Sequence, residues 1–589
     1  MTTILPEKEH AVPSPTPTTD GATMTTYTVG NYLATRFEQI GLKHYFMVPG
    51  DYNLVLLDQL LWNKNVEQVG CCNELNAAYA AEGYARANGI GAVITTFNVG
   101  AFSALNGVVS AYAESLPVIF VSAGYNTNDP SANHLLHHTI GTHDFSYQYD
   151  MFRHVTCAAV RILHAENAPS LIDHAIRMAL RERKPAYIEI ACNLSAAPCP
   201  KPAPFETLLT SEASNQNALT AAVETATTLL NKAKKPLLLA GVHLRTHGAI
   251  DAFRELAEAL GCGVAVMPNA KGFFPEDHPQ FIGISWGGVS STGCEPIVDW
   301  ADLILAAGPL FTDYTTVGWT AMPPREQMIK ADPRYVQFPQ AEYTDVALAD
   351  FLSALAKNVR ANDTTLVQYR REVRKASAET EARQIEASAP LTRVELCRQI
   401  QQDLDAKTTL LVETGDSWFN GMAMHLPNGA RFEIEMQWGS IGWAVPATFG
   451  YAMGLEEDRR LVSMIGDGSF QLTAQEVANM IRYGHNTLIF LVNNRGYVIE
   501  SEIHDGPYNY IKNWDYAGLI AVLNAEDGHG LGLKATTGGE LADAIKKAHT
   551  HRGGPVLIEC QIEHDDCSPQ LLKWGTKVAF ANERPPQRS

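Results

Sequence analysis

The segment best equipped for chemistry runs from residue 466 to residue 496, GDGSFQLTAQEVANMIRYGHNTLIFLVNNRG. It opens on Asp467 and Gly468-Ser469, and it closes on Asn493-Asn494 with Gly496 two positions later. An Asp carboxylate, an Asn amide oxygen and a backbone carbonyl at a permissive glycine are hard oxygen donors. They suit Mg²⁺ when phosphate oxygens and water complete its octahedron. A metal held in this way implies a diphosphate.

These donors meet only if the chain returns to one edge of a sheet. Leu461–Ile465 and Thr487–Val492 read as strands. Between them Thr473 and Glu476 form a capping box opening a helix, Ala474, Val477, Ala478 and Ile481 supply its buried stripe, and Gly484 ends it. Such a βαβ unit sets Asp467 and Asn494 beyond the carboxyl ends of two parallel strands, where open α/β sheets bind ligands.

A second candidate acid is Glu74, in GCCNELNAAYAAEGYARANG. It follows a strand directly and lies among small and apolar residues, a setting that raises a carboxyl pKa by burial. Taken alone, it is equally an acid stabilised at a helix N-terminus.

Elsewhere the same alternation of apolar runs and helical patterns recurs, the signal of parallel α/β layers. The first third reads as βαβαβ, with strands at 66–72, 92–97 and 117–123 and helices at 74–87 and 104–113. A Pro-rich stretch at 197–205 suggests a linker. The middle third repeats the logic at 236–242, 249–260, 263–267 and 302–307, without a dinucleotide fingerprint or P-loop, so no second cofactor is expected. A polar helical stretch, 366–387, reads as a second linker. The fold class is therefore α/β, three doubly wound domains with parallel sheets spanning 25–205, 206–380 and 381–589. Residues 1–24, rich in Pro and Thr with little to bury, read as a disordered leader.

Composition removes other classes. The 589 residues carry 45 Lys+Arg against 64 Asp+Glu, a formal charge of −19, so neither nucleic acid nor an anionic membrane is expected as a partner. No run approaches the length of a membrane span. The ten cysteines are scattered without metal-ligand spacing and read as reduced thiols of a cytoplasmic protein.

The Gly466-Asp467-Gly468 and Asn493-Asn494 pattern resembles the diphosphate and magnesium motif of thiamine-diphosphate enzymes. Val48-Pro49-Gly50-Asp51, His137-His138, the run from Glu413 to Phe419, the run from Gln437 to Gly442, and Ile499-Glu500 narrow it. Together they resemble the bacterial pyruvate decarboxylases of the thiamine-diphosphate-dependent 2-keto acid decarboxylase family, over nearly the whole chain after the leader. The resemblance implies a carboxy-lyase that converts pyruvate to acetaldehyde and CO₂ through a cofactor ylide and an enamine. It names the three domains as pyrimidine-binding, middle, and diphosphate- and Mg²⁺-binding. Glu74 then activates the aminopyrimidine, and Asp467, Asn494 and Gly496 hold Mg²⁺ beside Gly468 and Ser469. Gly439 offers its carbonyl to the cofactor's amino group, Ser440 lies beside it, and Ile441 props the two rings together. Thr414 and Asp416 begin the cofactor pocket, with Asp416 contacting the pyrimidine side or ordering the pocket. Asp51, His137, His138 and Glu500 are the candidates for substrate handling and proton transfer.

The same resemblance implies that Glu74 and the metal motif meet across a subunit interface, in a dimer that pairs into a tetramer. Trp418 and Tyr314 resemble bulky residues that narrow the pocket to pyruvate, although either alone is equally a core aromatic. Two other functions fit the motifs, carboligation as in acetolactate synthase and a non-catalytic cofactor-binding paralogue. The His pair and Glu500 favour aldehyde release.

Overall fold

The computed structural model describes residues 27–208, 213–376 and 386–584. The expected leader at 1–24 and residues 377–385 of the second linker lie outside the described residues. In the first domain six strands form one parallel sheet: His44–Met47, Glu67–Gly70, Gly91–Thr95, Val118–Gly124, Ala158–Ile162 and Ala186–Ala191. Counted along the chain, their spatial order is two, one, three, four, six, five. The last domain repeats that order with Thr408–Val412, Arg431–Ile434, Arg460–Gly466, Leu488–Asn493, Leu531–Ala535 and Val556–Gln561. Central strands such as Val118–Gly124 are buried at every residue, because helices cover both faces of a parallel sheet.

The middle sheet departs from the all-parallel expectation. Five parallel strands continue into an antiparallel edge, Tyr335–Gln337 and Glu342–Thr344. The four residues between those two strands are too few for a parallel crossover, so the chain turns back as a hairpin. The first Pro-rich linker is also partly structured: Pro198–Cys199 pairs antiparallel with Tyr27–Thr28 and ties the end of the first domain to its start.

The first and last domains share a core. Helix Glu74–Asn88 is capped by Asn73, whose side chain accepts from Asn76 N, and it ends at Gly89 with φ of +91°. It packs along helix Ala444–Gly454 at backbone contact. A Cβ on Gly83 would stand 2.1 Å from the Ala447 carbonyl oxygen, and one on Gly450 would stand 1.8 Å from that of Ala80. One continuous apolar cluster accordingly runs from the first sheet into the last domain, and a second joins the middle domain to it. Among the described residues, no helix is long and apolar enough to cross a membrane.

Candidate active site

Strands Thr408–Val412, Arg460–Gly466 and Leu488–Asn493 are adjacent, and the order of the sheet reverses around the first of them. The carboxyl edge of these strands is the ligand-binding crevice of a doubly wound sheet. A cleft there is lined by Thr414, Asp416, Ile441, Asp467, Gly468 and Ser469, with Asn494, Gly496 and Ile499 on its far side.

Asp467 is buried. Its Oδ1 accepts from Gly468 N at 2.8 Å and its Oδ2 from Arg495 N at 2.6 Å. Burial pushes its carboxyl up to about 6, against those backbone hydrogen bonds. The inward amide atom of Asn494 stands 3.1 Å from Asp467 Oδ1 and 3.1 Å from the Gly496 carbonyl oxygen. As nitrogen it donates to both. As oxygen it completes a triangle of three oxygens with no proton between them, which only a cation makes favourable. Oxygens at right angles about 2.1 Å from Mg²⁺ stand about 3.0 Å apart, so both separations from the Asn494 amide match edges of the octahedron. The donor set fits the metal. His564 Nδ1 donates to the Asn494 carbonyl at 2.8 Å and steadies the turn.

The capping box expected at Thr473 and Glu476 is absent. The helix begins at Asp467, runs to Thr473, tightens through a 3₁₀ turn at Ala474–Glu476, and resumes over Val477–Arg482. Both side chains serve longer contacts instead. Thr473 donates to the Gly442 carbonyl at 2.7 Å, and Glu476 accepts from Asn76 of the first domain at 2.8 Å.

Thr414 turns a buried, unpartnered Oγ1 in the cleft wall, an orphan that a polar ligand would satisfy. Asp416 lines the cleft with its carboxylate already engaged: Oδ1 by Ser568 N and Oγ, Oδ2 by Asn420 at 3.0 Å. It orders the pocket by joining the strand end to the C-terminal helix Pro569–Asn582. Gly439 adopts φ of +65°, and a Cβ there would meet the Tyr314 ring at 3.2 Å and Trp418 at 3.9 Å. The middle domain's Tyr314 and the buried Trp418 pack edge-to-face at 5.8 Å, so the two proposed pocket aromatics flank one turn. Glu500 is exposed on helix Val498–Ile503 and acts electrostatically on Tyr314.

The first domain gathers the remaining candidates. His137 Nε2 stands 2.6 Å from Asp51 Oδ2, His138 Nε2 stands 3.7 Å from Asp51 Oδ1, and Tyr52 packs against both rings. His138 has φ of +60°, and its carbonyl accepts from Asn98 at 2.7 Å. All three are solvent-accessible, with His137 60% exposed. Glu74 begins its helix half-buried, and Gly100 is bare of a side chain at the point where a Cβ would lie 3.0 Å from Glu74 Oε1. None of these four lines the cleft around Asp467 in the same chain. Exposed apolar residues border both halves, Val99 beside Gly100 and Leu472 and Trp438 beside the turn at Gly439–Gly442.

Sequence reasoning missed the struts of that turn. Glu114 Oε1 accepts from the backbone N of Met436, Gln437 and Trp438 at 3.1, 2.7 and 3.4 Å, and Glu435 Oε2 accepts from Ser440 N at 2.8 Å. Ser440 Oγ is 2.7 Å from Tyr79 OH. Glu413, also missed, accepts from Thr414 N and Ala444 N, and burial raises it to about 7. For Glu413 and Glu435 the signal available was an acid directly after an apolar strand; Glu114, at the end of helix Val99–Ala113, offered none.

Family models match all three domains. Residues 27–147 match the N-terminal TPP binding domain of thiamine pyrophosphate enzymes, 223–358 their central domain, and 414–560 their C-terminal TPP binding domain. The chain belongs to the thiamine pyrophosphate enzymes, whose cofactor is thiamine diphosphate with Mg²⁺ as its usual metal. It is 53% identical over 561 residues to a probable pyruvate decarboxylase of Schizosaccharomyces pombe, covering 95% of this chain and 97% of that one. Identity to pyruvate decarboxylase of Neurospora crassa is 52% over 561 residues, with coverage of 95% and 98%. For pyruvate decarboxylase 3 of Arabidopsis thaliana it is 47% over 565 residues, with coverage of 95% and 94%. These relatives are fungal and plant proteins, so the resemblance is not a specifically bacterial one.

Proposed function

We propose that this enzyme decarboxylates pyruvate to acetaldehyde and CO₂. The observation that carries the reading is the convergence of Asp467, Asn494 and Gly496 oxygens beside an apolar-walled cleft, in a chain about half identical to pyruvate decarboxylases. Asp467, Asn494 and Gly496 hold Mg²⁺, and Gly468, Ser469 and the Thr414 hydroxyl face the diphosphate. When bound, the cofactor's thiazolium supplies the electron sink that takes the pair left by departing CO₂. Gly439 presents a carbonyl and Ile441 an apolar prop to the pyrimidine, and Glu74 holds a proton at that ring. The Asp51–His137 hydrogen bond fixes the imidazole and leaves Nδ1 free to exchange a proton, while His138 and Glu500 bind substrate or pass protons. Trp418 and Tyr314 limit the substrate to a small 2-keto acid.

Glu74, Asp51, His137 and His138 do not line the same chain's cleft, and exposed apolar residues border both halves. A second copy therefore completes each site, and two such dimers form the tetramer. Ten free thiols suit the reducing cytoplasm. The boundaries 25–205, 206–380 and 381–589 each enclose one of the three large sheets and are proposed as the domains.

The test is to strip the protein of cofactor and follow acetaldehyde and acetolactate from pyruvate, with and without thiamine diphosphate and Mg²⁺, with phenylpyruvate in parallel. Acetaldehyde requiring both additions, with little turnover of phenylpyruvate, is expected. Acetolactate as main product would move the assignment to carboligation, and cofactor binding without product to a non-catalytic paralogue.

A further inference from the structure

Beneath the turn that carries Gly439, Ser440 and Ile441 lies a group of buried carboxylates with too few cations. Glu82, Glu114, Glu413, Glu433 and Glu435 are all buried. Arg86 reaches Glu82 at 2.8 Å, Glu114 at 3.2 Å and Glu433 at 3.4 Å, and Glu433 also takes Arg245 at 2.7 Å. Glu413 is held by backbone N–H groups. Among the described residues, Glu435 has no cationic partner. Its Oε2 accepts from Ser440 N at 2.8 Å, and its Oε1 lies 3.0 Å from Ser110 Oγ.

The Ser110 hydroxyl also lies 2.6 Å from Glu82 Oε2. One hydroxyl carries one hydrogen and cannot donate to two carboxylates. The oxygen it does not serve must bring a proton of its own. Glu82 is the anion, since its other oxygen meets Arg86, so the proton sits on Glu435. The hydrogen bonds then run in one direction, from Glu435 Oε1–H to Ser110 Oγ, from Ser110 to Glu82 Oε2, and from Arg86 to Glu82 Oε1. Every donor has an acceptor.

We propose that Glu435 is a positioning residue that works as a neutral carboxylic acid, clamping Ser440 and the cofactor turn to the first domain through Ser110 and Glu82. The surroundings agree: burial, reinforced by Glu82, Glu114 and Glu413, drives its carboxyl well above the ordinary range. Tyr79 and Tyr314, the phenols that feel this group, are each held neutral by burial. An ionised Glu435 would repel Glu82 across Ser110 and loosen the turn. The role rests on the reading that this turn meets the cofactor, but the protonation state does not.

The test uses the full-length protein and the variants Glu435→Gln, Glu435→Leu and Ser110→Ala. In the cofactor-free protein, infrared spectra should show a buried carboxylic-acid C=O band at neutral pH, absent from Glu435→Gln and shifted in Ser110→Ala, where the acid loses its acceptor. A wild-type spectrum lacking that band, or one unchanged in Glu435→Gln, overturns the protonation. In thiamine-diphosphate titrations, Glu435→Gln should restore affinity to within about twofold, because its amide donates to Ser110 and accepts from Ser440. Glu435→Leu, leaving Ser440 N unpaired, should weaken affinity about tenfold. Wild-type affinity should fall at alkaline pH while that of Glu435→Gln stays level. The band with parallel pH profiles would overturn the positioning role alone and leave the protonation standing.

Discussion

Alanine at Gly496 tests the metal site through a backbone atom, without removing any side chain. A Cβ there would stand 2.6 Å from the Asn509 carbonyl oxygen, and real Cβ atoms stay beyond 3.0 Å. The obstacle is backbone and cannot rotate aside. The same Asn509 oxygen accepts from Tyr497 N at 2.9 Å, and Gly496 pairs with Tyr510 in an isolated bridge. The two segments must therefore separate, at an overpacking cost of about 1–3 kcal/mol. That movement carries the Gly496 carbonyl away from Asp467 and Asn494 and breaks the triangle of oxygens. Supporting-shell changes at metal sites cost roughly 10–100-fold in affinity, and a displaced ligand should reach at least that range.

The assay is a Mg²⁺ titration of stripped protein at saturating thiamine diphosphate, reading cofactor binding, beside thermal unfolding of the metal-free protein. Gly450→Ala is the control. Its Cβ would lie 1.8 Å from the Ala80 oxygen, so it should lose stability, yet it stands away from the metal triangle and should keep the Mg²⁺ midpoint. If Gly496→Ala loses stability while its Mg²⁺ midpoint matches wild type, the carbonyl is not a ligand and the octahedral reading of the site is wrong.

Asp467→Ala should abolish Mg²⁺-dependent retention of the cofactor, checked by dialysis and cofactor assay; retention unchanged would remove the metal assignment. Trp418→Ala should raise the phenylpyruvate-to-pyruvate rate ratio, at a cost of about 3–5 kcal/mol in stability because the ring is fully buried. An unchanged ratio in protein that still melts cooperatively would return Trp418 to the core. Burial lifts Glu413 from 4.5 to about 7, so the folded state holds its proton more tightly than the unfolded chain does. The stability it contributes is full below about pH 4.5 and is lost as pH climbs through about 7. Glu413→Gln should therefore gain on wild type in Tm between about pH 5 and about pH 8, and a constant difference would count against this. Val99→Glu should weaken self-association and lower activity together when followed by sedimentation and rate against protein concentration; full activity in a monomer would refute the shared site.

The fold was legible where one local pattern had one meaning. Apolar runs buried on both faces, such as Val118–Gly124, and the strand, helix and strand around Asp467 read directly because parallel strands need covering helices. Thr473 and Glu476 misled because a capping box and longer-range contacts use the same side chains, and only the partners, Gly442 in the same domain and Asn76 in the first, decide between them. Glu433 and Glu435 show the same limit more sharply. In RFEIEM two acids alternate with apolar residues, a pattern that reads as one face in water. Both are buried instead, because that face meets the other two domains, where Arg86 of the first and Arg245 of the middle domain neutralise Glu433 and the Ser110 hydroxyl faces Glu435. Each domain's sequence specifies its own sheet; what it cannot display is the charge that another domain brings to the far side of a strand. The proposed metal donors could be singled out together because they lie within one βαβ unit. The residues that hold the Gly439–Ile441 turn could not, because the turn lies in one domain and Glu114, Ser110 and Tyr79 come from another.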